Sequence, residues 1–284
     1  MIQILVVLAF AASAVSANDP WTRGLYDRFD VMLFKDDAFE YLPWSKAEAA
    51  AKGYILVEVP ARSAGYSTVS LWVLKTKPCV GLLFDDTEKI AGVQIAIAID
   101  NVKGEPLFAM EKQGFKKVSY VIDGKSTEYW TIAIYFKPEN YTSEQDIGGD
   151  ELFTGHYLTV ENNDGGLDKI PTNLDNLHDI WKMQACMPFM GTHYYHNMTT
   201  STTCDKPFHP IFLLFDTKTN QLMGVGMMVF VKLYDASCHE TPNKPAVQAI
   251  VKEGPQCLYD AVEKYGVVTH HIYFVNKPRT IVCW

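Results

Sequence analysis

The chain has 284 residues, is 48% hydrophobic and 13% aromatic, and carries a formal net charge of −8. That composition excludes a disordered or low-complexity chain and predicts a packed globular protein. The acidic balance, with no lysine- or arginine-rich run, argues against nucleic acid or an anionic membrane as partner.

The first segment, residues 1–17, reads as a secretory signal peptide. Ile4 to Val15 is apolar apart from Ser13, and Val15-Ser16-Ala17 supplies the small residues of a cleavage site. The run is shorter than the roughly 20 apolar residues a membrane-spanning helix needs. The expectation is a secreted, extracellular chain without stable membrane insertion. Sequons at Asn140 and Asn197 are candidate glycosylation sites.

Trp44 to Ala51 predicts a short helix capped by Ser45. Strands follow at Tyr54–Val59, Ser67–Leu74, Val80–Phe84, Gly92–Ile99, Lys117–Ile122 and Trp130–Phe136, all rich in β-branched and aromatic residues. Glu139–Gly155 is polar, acidic and glycine-containing, and reads as a join. Leu174–Ala185 reads as a helix, and Gly191–His209 as a loop. Pro210–Asp216 and Leu222–Leu233 read as a hairpin, and Pro245–Lys252 and Pro255–Tyr265 as helices. Val267–Val275 and Arg279–Trp284 read as closing strands.

The two halves echo each other. Leu82-Leu83-Phe84-Asp85 followed by Gly92-Val93 matches Leu213-Leu214-Phe215-Asp216 followed by Gly224-Val225. Lys112-Gln113-Gly114 matches Lys252-Glu253-Gly254, and Ile134-Tyr135-Phe136 matches Ile272-Tyr273-Phe274. The predicted fold class is α+β, mainly antiparallel β, with two tandem related β-rich repeats packed together. Residues 18–145 form a histidine-free N-terminal repeat, and 150–284 a C-terminal one.

Six cysteines in a secreted chain predict disulfides. Cys186, Cys204, Cys238, Cys257 and Cys283 lie in the second half and Cys79 alone in the first, so complete pairing requires Cys79 to cross between halves. Which partners pair is open, since six cysteines allow 15 connectivities.

All eight histidines fall in the second half. Imidazole is the commonest metal ligand and general base near neutral pH, so the asymmetry points to a site there. His270 takes the place of core-facing Ile132. His271 takes the place of Ala133 on the opposite face and is expected at solvent or an interface. His193 and His196 point opposite ways if their segment is a strand. His193 or His196, His209 and His270 form the candidate pocket or metal set for Zn or Cu, with His271 and His239 secondary. Asp85 and Asp216 fit turn chemistry better than catalysis. The chain has no nucleophile elbow, P-loop or dinucleotide fingerprint. Three functions follow. The first is a secreted, disulfide-bonded glycoprotein binding a small molecule or metal ion in a His-lined pocket. The second is a secreted metal-dependent enzyme, oxidative or hydrolytic, and the third an extracellular matrix glycoprotein.

Overall fold

The computed structural model describes residues 23–28, 39–58, 66, 68–137, 152, 156–162 and 166–283. The signal-peptide segment, the Asn140 sequon and most of the join at 139–155 lie outside them. The chain runs β1 (Arg23–Arg28), β2 (Phe39–Tyr41), α1 (Lys46–Ala51), β3 (Tyr54–Val57), β4 (Ser70–Leu74), β5 (Lys77–Phe84) and β6 (Ile90–Ala98). It continues through β7 (Val102–Lys103), β8 (Lys116–Ile122), β9 (Lys125–Tyr135), β10 (Tyr157–Glu161) and β11 (Leu167–Pro171). The remainder is β12 (Trp181–Met187), β13 (Gly191–His196), β14 (Ile211–Asp216), β15 (Gln221–Val229), β16 (Lys232–Leu233), α2 (Lys244–Ile250), α3 (Gln256–Tyr265) and β17 (Val268–Val275). The fold is mostly antiparallel β with few helices.

Two large sheets result. One has the order β11-β10-β9-β6-β5-β4-β3, with β8 also paired to β9; the other has the order β12-β13-β14-β15-β17-β1-β2. Alternation explains how they meet. Val93, Ile95, Ile132 and Ile134 from one sheet share a buried core with Leu213, Val225, Ile272 and Phe274 from the other. Each such side chain contributes about 1.5–3 kcal/mol on burial. The strands are apolar on both faces, so each sheet needs a second cover. Tyr66, Tyr120 and Tyr129 pack on the outer face of the first sheet. On the second, α2 and α3 lay Val247, Val251, Leu258 and Val262 over Phe212, Leu214, Met228 and Tyr273. Asn243 caps α2 by accepting from the Ala246 amide at 3.0 Å.

The hairpins β5–β6 and β14–β15 share local detail. Each has a register shift at one position, between Leu83 and Phe84 and between Leu214 and Phe215. In each a glycine faces the next strand so closely that a Cβ would lie 2.4 Å from the Ile134 carbonyl (Gly92) or 2.6 Å from the Ile272 carbonyl (Gly224). Each turn is closed by its aspartate. Asp85 accepts from Thr87 and Lys89 amides, and Asp216 from Lys218 and Thr219 amides.

Disulfides join Cys79–Cys238, Cys186–Cys283 and Cys204–Cys257. The first crosses between the halves, as the parity of the count requires. No helix among the described residues is long and apolar enough to cross a membrane.

Three expected elements differ. Leu174–Ala185 is not a helix: a 3-10 turn at Leu174–Asn176 precedes strand β12, because pairing with β13 overrides its helical propensity. Residues 191–196 are strand β13, so the loop begins only at Asn197, whose φ of 50° turns the chain. The segment after Pro278 is a 3-10 turn, and Ile281 then bonds to Phe189 while Cys283 is tied to Cys186, so no closing strand forms.

Candidate functional site

Three adjacent pairs of polar residues enter the second sheet together: Asp27-Arg28 on β1, His270-His271 on β17, and His239-Glu240 in the segment before α2. All six are buried. Strand pairing places Asp27 opposite Ile272 and Arg28 opposite His271. Glu240 and Thr269 exchange two backbone hydrogen bonds of 3.0 and 2.8 Å, which bring the third pair alongside. The Cys79–Cys238 disulfide anchors that segment to β5. Successive side chains on extended backbone point to opposite faces, so the six residues split into two trios.

Toward the inter-sheet core, His270 Nε2 lies 2.6 Å from Asp27 Oδ1 and His270 Nδ1 lies 3.1 Å from His239 Nδ1. The Lys77 ammonium faces the other Asp27 oxygen at 3.5 Å. Burial alone would raise the Asp27 carboxyl, but His270 and Lys77 hold it below its ordinary range. Burial, then His270, pushes His239 down to about 3.

Toward the helices, Glu240 binds Arg28 Nε at 3.3 Å and His271 Nδ1 at 3.2 Å. Burial raises the nearby Tyr273 phenol, and the Arg28 guanidinium offsets part of that rise. Burial opposes ionisation of Glu240, but His271 and Arg28 hold its carboxyl below the usual range. Burial lowers the His271 imidazole below its ordinary range, against the pull of Glu240. His193 reaches the same place from β13. Its Nδ1 lies 3.3 Å from the Ala185 carbonyl, and the Gly191 carbonyl also faces the ring. Burial, then His271, pushes His193 down to about 3. The two ring centroids are 6.2 Å apart, with Phe212 packed against both. Phe212 fits there because Gly226 has no side chain: a Cβ would sit 2.0 Å from the ring.

The helix-side trio opens onto a cavity of about 130 Å³ under α2, lined by Met187, Met190, Met228, Val247 and Val251 together with His193, Glu240 and His271. The Nε2 atoms of His193 and His271 and the Thr269 hydroxyl are buried there without a hydrogen-bond partner. With Nδ1 protonated toward the Ala185 carbonyl or Glu240, each ring keeps an Nε2 lone pair free to accept. An unpaired buried polar group costs about 1–3 kcal/mol. Two such groups on residues that line one cavity therefore point to an occupant.

The sequence-predicted set is distributed over three places. His193 faces the helices and His270 the inter-sheet core. His196 and His209 lie together elsewhere, with rings 5.1 Å apart beside Trp181, along a polar groove of about 400 Å³. His209 spends both nitrogens, accepting from the Ile211 amide at 3.2 Å and pairing with Asp168 at 3.2 Å. Among the described residues no three His, Cys, Asp or Glu side chains are placed to hold a metal. His271 is not at solvent: α2 and α3 roof its face, and it is 3% exposed. His239 is buried against His270. Asn197 is exposed. The sequence reading missed Asp27, Arg28 and Glu240. The available signal was two charged residues in a row at the end of a short strand, and a His-Glu pair following a cysteine.

A larger groove of about 540 Å³ borders β12, but its one buried carboxylate, Asp216, is spent on its own turn. No protein-family model, curated protein or solved structure matches the chain.

Proposed function

We propose that this chain is a secreted, disulfide-stapled glycoprotein that binds a small ligand under α2, oriented by His193 and His271. The observation that carries the reading is the pair of buried imidazoles lining one mainly apolar cavity, each with an Nε2 that has no hydrogen-bond partner. Four of the eight histidines are buried, which supports a site over a purely structural glycoprotein. The three disulfides fit an oxidising, extracellular compartment, and exposed Asn197 fits a used sequon.

Size limits the ligand. A cavity of about 150 Å³ lined by aliphatic side chains accepts benzene, so about 130 Å³ suits a single small ring. The lone pairs ask for a group that donates to them. Phenol and toluene therefore make matched probes, titrated by two-dimensional amide NMR. Phenol is expected to bind saturably, shifting α2 and β17 amides, and about 2- to 10-fold more tightly than toluene, as one hydrogen bond gives. Failure of both to bind, or equal affinity, would overturn the reading.

The duplication belongs to the same proposal. The strand order β3-β4-β5-β6-β9-β10-β11 corresponds position by position to β12-β13-β14-β15-β17-β1-β2. Matching bulges and matching close-approach glycines support descent from one repeated unit, with the β1–β2 hairpin filling in one sheet the place β10–β11 fills in the other. On that reading Ile132 and Ala133 are the counterparts of His270 and His271, and the site arose in the second repeat.

A further inference from the structure

We propose that the polar end of this cavity is a binding site for one Cu(I) ion, held by Nε2 of His193 and Nε2 of His271 with a methionine thioether as a weaker third ligand. This rests on reading the cavity as a binding site and names what its imidazoles take.

Four observations carry it. First, a metal-binding histidine usually donates its other ring N–H to a carboxylate or a backbone carbonyl, which fixes the tautomer and aims the free nitrogen. Both rings have such an acceptor within reach of Nδ1: Glu240 at 3.2 Å for His271, the Ala185 carbonyl at 3.3 Å for His193. Second, both Nε2 atoms are buried and without a partner. Third, the spacing suits a shared ion. With each Nε2 about 2.0 Å from the ion, two such ring centroids lie at most roughly 6.3 Å apart; here they are 6.2 Å apart. That spacing accommodates a near-linear, two-coordinate ion. Fourth, Met187, Met190 and Met228 line the same cavity, and thioethers select Cu(I).

Charge decides between metals. The Glu240 carboxylate is engaged by Arg28 and His271, so it neutralises its own partner rather than an ion. The available donors are neutral imidazoles and thioethers. Two uncompensated charges in an apolar cavity cost far more than one, which disfavours Zn(II) and favours a soft monovalent ion. All six cysteines are in disulfides, so no thiolate competes.

The test uses the mature, oxidised chain under anaerobic conditions, titrated with Cu(I) against a chromophoric Cu(I) chelator. Ag(I) serves as a redox-inert substitute. One ion per chain is expected, with X-ray absorption showing nitrogen near 2.0 Å and sulfur near 2.3 Å. His193→Gln should weaken binding at least 100-fold and Met228→Leu by up to about 10-fold, while His209→Ala, in the separate groove, should leave it unchanged. Circular dichroism checks that each variant is folded. Absence of a tight site, unchanged affinity in folded His193→Gln, or preference for Zn(II) over Cu(I) would overturn the proposal. Phenol binding to the metal-free chain separates the two claims. If phenol binds and Cu(I) does not, the cavity reading stands and the metal assignment fails; if neither binds, both fail.

Discussion

The two faces of β17 are built from the same three pairs of residues and reach opposite ends. On the inter-sheet face, Asp27, His270 and His239 face one another: His270 lies 2.6 Å from Asp27 through Nε2 and 3.1 Å from His239 through Nδ1, and Lys77 faces the carboxylate at 3.5 Å. On the helix face, Arg28, Glu240 and His271 satisfy one another only as far as His271 Nδ1, and Nε2 is left facing a cavity. A closed buried network ties the sheets together. An open one, backed by the same geometry, presents a fixed lone pair to whatever enters. Residue type does not distinguish the two cases, since both trios contain a carboxylate and an imidazole. What distinguishes them is whether every nitrogen has been spent.

The difference is tested hardest by removing a charge from the closed face. Asp27→Ala leaves buried His270 and His239, and half-buried Lys77, without this carboxylate. Breaking a buried ion pair from one side costs about 3–5 kcal/mol, and that loss is expected by chemical denaturation, together with weaker protection of β1 from hydrogen exchange. A cost below about 1 kcal/mol would mean that the trio is not the tie between β1 and β17 that its 2.6 Å contact indicates.

Acid probes both faces at once. His239 on the closed face and His193 on the open one are each held down to about 3, whereas an unfolded histidine titrates near 6.5. Between those values the unfolded chain binds a proton that the folded chain refuses. Stability therefore falls as pH drops from about 6.5 toward 3, by about 1.4 kcal/mol per pH unit for each such histidine. Below about pH 4, protonation of Asp27 and Glu240, both held low in the fold, adds to the loss. Denaturation midpoints at several pH values measure the slope. Removing His193 should take away the contribution of one proton and leave that of His239; a slope unaltered in such a variant would contradict the burial of its ring.

Much of the scaffold was legible because it rests on local pattern. Leu82–Asp85 and Leu213–Asp216 announced their hairpins, and the aspartates their turns, through short-range chemistry that survives folding unchanged. The inward placement of His270 followed from alternation and from its match to Ile132. What was not legible depended on distant partners. His271 was expected at solvent or an interface because a strand's second face is normally solvated, and only the packing of α2 and α3 roofs it. Leu174–Ala185 resembled a helix because the pairing partner of Trp181–Met187 is needed to make that part a strand. Asp27 and Arg28 lie more than 200 residues from Glu240 and His271 in the chain, and no spacing rule relates them. Their meeting is a consequence of β1 joining the sheet beside β17.

The smallest expected effect is the most discriminating. His193→Phe replaces a buried imidazole whose Nε2 has no partner with a ring of similar shape, stacked as before among Tyr195 and Phe212. It gives up the long Nδ1 contact to Ala185 but also removes the burial cost of an unsatisfied nitrogen, two terms of about 1 kcal/mol each with opposite sign. Stability near pH 7 should therefore change by less than about 1 kcal/mol, in either direction, while Cu(I) affinity collapses and the preference for phenol over toluene shrinks. A residue maintained only for packing would show the reverse: a clear loss of stability with cavity binding intact. The contrast with Asp27→Ala, where stability is lost first, separates a group that holds the fold together from one kept in it at some cost.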